Sequence, residues 1–191
     1  MTREDELTLA PCRHPFRVEV ALGADADGRL TAMHLDVLTD TGAYGNHAPG
    51  VLFNGIHESV AQYRCPAKRV DAEAVYTHQI PSGAFRGYGL GQVLFALESA
   101  MDELAREAGL DPLELRRRNV VRPGDPFLVN HHDTTTDLGY GLAEPDAPSY
   151  GLLACLALVE DALATTRDGD AALVPAGDRW RVGEGTAVAM I

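Results

Sequence analysis

Lysine is nearly missing from this chain: its 191 residues hold one, Lys68. Without a lysine-rich run there is no polybasic anchor for an anionic membrane surface. Basic side chains are scarce as a class, 16 against 28 acidic ones, for a net charge of −12. A dedicated nucleic-acid surface needs clustered cations to displace counterions, so none is expected. Long apolar runs are absent too, and nothing approaches the roughly 18 consecutive apolar residues of a membrane span. Cysteines number three, Cys12, Cys65 and Cys155, with no CxxC pair. That is a poor set for an iron–sulfur cluster, so each is expected to be a small buried apolar residue. Met1-Thr2-Arg3-Glu4-Asp5-Glu6 is charged where a secretion signal would be apolar, so a cytoplasmic location is expected.

The remaining composition, 46% hydrophobic and 23% charged, suits a soluble globular chain of one domain or a domain and part of a second. Phe16 to Leu22 alternates apolar and polar residues, and after the turn Gly23 to Gly28 the alternation resumes over Arg29 to Thr39. This predicts a β-hairpin. Ala48 to Gly55 reads as a Gly/Pro-punctuated loop, and residues 69–78 as a further strand. The period then changes: Leu94, Leu97, Met101, Leu104, Ala105 and Ala108 form a helical stripe that Gly109 ends. Asp111, Pro112 and Glu114 predict a second helix opened by a capping box, with Arg116, Arg117 and Arg118 as its solvated far end. Residues 150–165 predict a third helix and residues 179–191 a final strand that stops while still apolar. The fold class expected is α+β. Its divisions are residues 1–122, a Pro/Gly-rich linker over 123–149, and the start of a second unit over 150–191. Between Asn130 and Asp178 nine acids face Arg167 alone, so most of the negative charge lies in the second half and says little about a substrate.

Chemistry concentrates in Gly83-Ala84-Phe85-Arg86-Gly87-Tyr88-Gly89-Leu90-Gly91-Gln92, a loop between strand and helix. Its glycines permit positive φ and close backbone approach, its amides and the helix behind them suit an anion, and Arg86 adds a planar donor fork. Tyr88 offers a flat aromatic face. The spacing is neither a dinucleotide fingerprint nor a P-loop, and a tight structural turn is an equal reading of the residues alone. His131-His132-Asp133 has no spaced partner for a metal and reads as a solvated loop. His14 and His34 read as structural, and Cys65 as unreactive.

As a string, the loop resembles the molybdopterin-binding large subunit of the molybdenum hydroxylases, the xanthine dehydrogenase and aldehyde oxidase family. The landmarks are Ala84-Phe85-Arg86-Gly87-Tyr88-Gly89, Gln92, Asp111-Pro112-Leu113-Glu114-Leu115-Arg116-Arg117-Arg118-Asn119 and Arg122-Pro123-Gly124-Asp125. Upstream, Arg3-Glu4-Asp5-Glu6, Arg13-His14-Pro15 and Asp40-Thr41-Gly42-Ala43-Tyr44 follow the family's order.

The resemblance implies an incomplete molybdopterin-binding domain: the end of a first subdomain and the beginning of a second. It places Phe85, Arg86 and Gly87 beside the pterin and the molybdenum, with Arg86 near the metal but not a ligand. It makes Tyr88 a substrate-stacking aromatic. Asn54 falls near a substrate-binding position that is an arginine in purine-oxidising members, which weighs against a purine. The family's earlier glycine-rich loop would precede residue 1. Its catalytic glutamate lies in a GxGE motif that the context of Gly183-Glu184 does not match, so no catalytic residue is assigned. The implied function is part of an oxidoreductase that hydroxylates an aldehyde or N-heteroaromatic carbon with water, inactive as an isolated chain. The molybdopterin cofactor would be shared with the remaining part of the large subunit. Iron–sulfur clusters and FAD would reside only on partners, an iron–sulfur subunit and a flavin subunit, and the ligand is a small molecule. The alternative is a non-catalytic interaction module or relic of such a subunit.

Overall fold

The computed structural model describes residues 2–123, 125, 151–169 and 183–189. Within them the order of elements is α1 (Arg3–Leu9), β1 (Phe16–Ala24), β2 (Leu30–Asp40), α2 (Ala48–Ala61), β3 (Ala67–Val75), α3 (Leu90–Ala108), α4 (Pro112–Asn119) and α5 (Leu152–Gly169). The expected α+β class is what the chain adopts. The predicted hairpin is present as β1 and β2, antiparallel from Phe16↔Thr39 to Ala24↔Leu30. β3 then pairs with the far side of β2 in parallel, Ala32↔Ala67 to Asp40↔Val75, giving a mixed sheet in the order β1-β2-β3.

A parallel partner requires a crossover, and α2 supplies it. Here the expected loop over Ala48 to Gly55 is wrong: the segment is the first half of α2. Pro49 falls in the first turn, where its missing N–H costs nothing, and so starts the helix rather than breaking it. Gly50 and Gly55 are helical because other chain presses against them: a Cβ on Gly55 would lie 2.7 Å from the Gly89 carbonyl. The helix α1 was not anticipated either; Thr2 and Asp5 form a reciprocal capping box at its start.

One face of the sheet holds the core. Met33, Leu35 and Val37 point inward with Leu52, Ile56 and Val60 of α2 and Val93, Leu97, Met101 and Ala105 of α3. Each large side chain buried this way contributes roughly 1.5–3 kcal/mol. The opposite face carries Arg17, Glu19, His34, Asp36, Arg69 and Asp71, the polar half of the same alternation.

The helix-ending signals hold in part. Gly109 adopts φ +66° and closes α3, and Asp111 accepts from the Leu113 and Glu114 amides at the start of α4. The capping box there is one-sided, because the Glu114 carboxylate turns away to Arg117 and Arg118. The expectation that Arg116 to Arg118 form a solvated end fails at Arg116, whose side chain is fully buried against Glu98 and Asp102. The cysteine expectation holds for Cys65, while Cys12 and Cys155 are exposed. No strand forms over residues 183–189, the described part of the expected final strand; Val188 is buried instead and its amide donates to Glu98. Apart from Pro123 and Asp125, the proposed linker lies outside the described residues, as do His131, His132 and Asp133. Among the described residues no helix is long and apolar enough to cross a membrane.

Candidate functional site

The glycine-rich loop leaves β3 and arrives at α3 through a run of positive φ angles, +93° at Gly87, +41° at Tyr88 and +92° at Gly89. Glycine is required at 89 on two counts: the left-handed backbone, and the Val51 carbonyl oxygen that would lie 2.2 Å from any Cβ. At Gly87 the nearest atom to a Cβ would be Arg13 at 4.0 Å, so conformation alone selects the residue. Tyr88 carries a side chain in a region that favours glycine, a local strain that persists where surrounding contacts determine it.

Those contacts come from two sides. Arg13 grips the outer part of the loop: its guanidinium sits 4.3 Å above the Phe85 ring, donates to the Arg86 carbonyl at 2.8 Å, and reaches the Gln92 side chain at 3.2 Å. Gln92 in turn donates to the His14 carbonyl, and His14 is buried with Nδ1 donating to Asp40 O at 3.0 Å. The segment before β1 and the first turn of α3 are thereby tied across the loop. On the inner side Asn54 Nδ2 donates to the Tyr88 carbonyl oxygen at 3.1 Å, and the Tyr88 hydroxyl meets His47 Nδ1 at 2.8 Å.

Arg13, Arg86, Gly87, Gly91, Gln92, Phe16 and Phe95 line an open cleft of about 540 Å³. Phe85, Arg86 and Gly87 are exposed. The Arg86 carbonyl is committed to Arg13, whereas its guanidinium finds no partner among the described residues and is free to meet an anion. No group of three or more His, Cys, Asp or Glu side chains among the described residues could hold a metal ion. The exposed Arg86 guanidinium, a planar donor fork on a glycine-rich loop, fits an anionic group.

The residues singled out in the sequence thus fall into two connected sets. Arg86 and Gly87 open onto the cleft beside Phe85, while Tyr88 and Asn54 are joined to each other on the α2 side. Sequence reasoning gave no role to Arg13, His47 and Gly50. His47, Gly50 and Asn54 share one helix face at a spacing of three and four, a signal hidden by reading their segment as a loop.

A second cavity of about 310 Å³, at the other end of β2, is lined by Arg29, Arg64, Lys68 and Arg118 together with Asp125. Its cations are engaged already: Arg29 with Asp27, Arg64 with Asp125, Arg118 with Glu114, and Lys68 with the carbonyls of Val60 and Tyr63. Burial pushes the Lys68 amine down to about 8.

Known proteins share this fold. Residues 1–120 match the family model described as the molybdopterin cofactor-binding domain. The chain is 38% identical, over 65% of its length, to the xanthine dehydrogenase molybdenum-binding subunit of Escherichia coli, of which it covers 17%. Among solved structures it superposes on the aldehyde oxidoreductase of Desulfovibrio gigas with a TM-score of 0.67 and 33% identity, covering 83% of this chain and 16% of that one. The quinoline 2-oxidoreductase of Pseudomonas putida 86 gives a TM-score of 0.70 and 30% identity, covering 89% and 21%. The chain thus spans between about a sixth and a fifth of the length of these relatives.

Proposed function

Since this chain belongs to the molybdopterin cofactor-binding domain family, we propose that it supplies one wall of the cofactor and substrate site of a molybdenum hydroxylase. The observation that carries the reading is the exposed Phe85-Arg86-Gly87 loop, its guanidinium without a partner among the described residues and its backbone braced from both sides. A molybdopterin-type cofactor supplies, when bound, the oxidising power and Lewis acidity for hydroxylating an aldehyde or N-heteroaromatic carbon with water as oxygen source.

The chain's own residues bind and orient. Arg86 directs its donor fork at an anionic oxygen of the cofactor. Phe85, capped by Arg13, keeps the loop from folding back, and Gly87 lets the backbone approach without a side chain between. Tyr88 offers its ring to the substrate while Asn54 holds its carbonyl. The general base belongs to the remaining part of the large subunit, so the isolated chain is inactive. An iron–sulfur subunit and a flavin subunit would hold the groups that accept the electrons. The relative named as the molybdenum-binding subunit of xanthine dehydrogenase supports an assembly of this kind.

The test is to purify the full polypeptide that contains this chain with its partners, and to measure molybdenum together with the fluorescence of the oxidised pterin. The reading expects both in near-stoichiometric amount and a several-fold loss of both in Arg86→Ala. Absence of molybdenum and pterin from the intact assembly overturns it in favour of a non-catalytic module.

A further inference from the structure

Tyr88 is held at three points by one face of α2. Its hydroxyl lies 2.8 Å from His47 Nδ1, with the two rings meeting edge to face at 83°. Its carbonyl accepts from Asn54 at 3.1 Å. Between them its hydroxyl end passes over Gly50, where a Cβ would come within 2.9 Å of the phenol oxygen. His47, Gly50 and Asn54 thus form a single cradle for one aromatic side chain. The strained φ of +41° at Tyr88 is the kind of conformation that survives only when its surroundings over-determine it.

His47 makes the cradle conspicuous. It occupies the N-cap of α2 yet forms no capping hydrogen bond, and its imidazole goes to Tyr88 instead. A serine or aspartate there would satisfy an unpaired helix amide. The cap position is therefore used for the tyrosine at the expense of the helix.

We propose that His47 and Asn54 are positioning residues for Tyr88, with His47 Nδ1 accepting a hydrogen bond from the Tyr88 hydroxyl so that this hydroxyl meets a substrate only as an acceptor. A phenol has one proton and two lone pairs, and a neutral imidazole protonated at Nε2 accepts at Nδ1. With the O–H donated to His47, the two lone pairs that remain select a ring that carries an N–H or O–H donor. A donor-lacking ring offers those lone pairs no hydrogen bond, and neither does an aldehyde. The inference rests on the reading of Tyr88 as the substrate-facing aromatic, and its two halves are tested separately.

The first half needs no cofactor. In the full chain labelled with carbon-13 at tyrosine Cζ and nitrogen-15 in histidine, His47 Nδ1 is expected to be unprotonated. Tyr88→Phe should shift that nitrogen, and His47→Phe should shift the Tyr88 Cζ resonance while the other tyrosines stay fixed. A protonated Nδ1, or resonances indifferent to both substitutions, overturns the clamp. The second half uses the assembled holoenzyme and paired probes, hypoxanthine and pyridone-type rings with their N-methylated forms, alongside benzaldehyde. The ratio of kcat/KM for N–H over N-methyl rings is expected to exceed about tenfold and to collapse in Tyr88→Phe. In His47→Phe the freed hydroxyl can donate, so the ratio should fall while the ring is retained. Asn54→Ala should raise KM more than it lowers kcat, and Asn54→Gln should restore part of it. An intact nuclear resonance signature with turnover of aldehydes alone overturns the selectivity. Absence of molybdenum with the same signature overturns the parent reading and leaves the clamp standing.

Discussion

Arg116 donates through Nε to Glu98 Oε2 at 2.8 Å with both side chains buried, and the pair anchors much of the fold. The Glu98 carboxylate also accepts from the Tyr63 hydroxyl at 2.7 Å, the Gln62 amide at 3.1 Å and the Val188 backbone at 2.8 Å. It therefore gathers the end of α2, the middle of α3, α4 and the segment at residues 183–189 onto one charge. Burial and then the neighbouring Glu98 charge push the Tyr63 phenol well above its ordinary range, so Tyr63 stays a donor.

Removing Arg116 leaves that carboxylate buried and short of its counter-charge. Arg116→Ala is expected to lose about 3–5 kcal/mol, the usual cost of breaking a buried pair from one side. Arg116→Lys should recover only part, because a lysine cannot reproduce the fork that reaches Glu98 and Asp102 together. Urea unfolding of the full chain measures both. A loss below about 1 kcal/mol in Arg116→Ala would show the pair to be energetically idle.

Two glycines at the start of α3 should respond in opposite directions. Gly89→Ala puts a Cβ onto the Val51 carbonyl at 2.2 Å and forces a left-handed backbone, so it should destabilise by about 2 kcal/mol or more. Gly91 is helical and has nothing within 4 Å of its would-be Cβ. Gly91→Ala should stabilise by up to about 1 kcal/mol. Equal effects in thermal melts would contradict the described backbone.

Lys68 gives a pH prediction with a single reporter. Its amine titrates at about 8 in the fold against 10.5 as the reference, so between those values the unfolded chain binds more protons. Stability from this residue therefore rises as pH increases from about 8 to 10.5, and is lost as pH falls back through 8. The Lys68→Met variant should lack that rise in a pH series of denaturation midpoints. Nitrogen resonance of the only lysine side chain reads the titration directly. A midpoint above 10 would remove the basis for it.

Asp111→Ala should cost about 1 kcal/mol, because its carboxylate accepts from both the Leu113 and Glu114 amides at the start of α4. Asp111→Asn should keep most of that. Chemical denaturation distinguishes the two, and an alanine as stable as the wild type would refute the cap.

What the sequence disclosed follows from the range of each interaction. The hairpin, α3 and α4 are written in local period and in caps at fixed offsets, and Asp111-Pro112 announces its helix without reference to the rest of the chain. The helix α2 was hidden because Pro49, Gly50 and Gly55 mean breakage locally. Only the pressure of Tyr88 and Gly89 from far along the chain explains the glycines. The burial of Arg116 was equally hidden, since its partners are separated from it in sequence and charge runs usually face water. At the site, the loop was visible as a glycine pattern and Asn54 through resemblance alone. The bond that joins Asn54 to Tyr88 appears only once α2 exists. Arg13 lay in a recognised string but acquires a role only when the fold brings it over Phe85.

The proposal that residues 84–88 form a cofactor wall is tested most directly by amide hydrogen exchange on the assembled enzyme, with and without its molybdenum cofactor. The loop is exposed in the described fold, and its amides should exchange markedly more slowly when the cofactor is loaded. Amides of β1 on the edge of the sheet should be unchanged. Loop amides that exchange at one rate in loaded and unloaded enzyme would contradict the assignment.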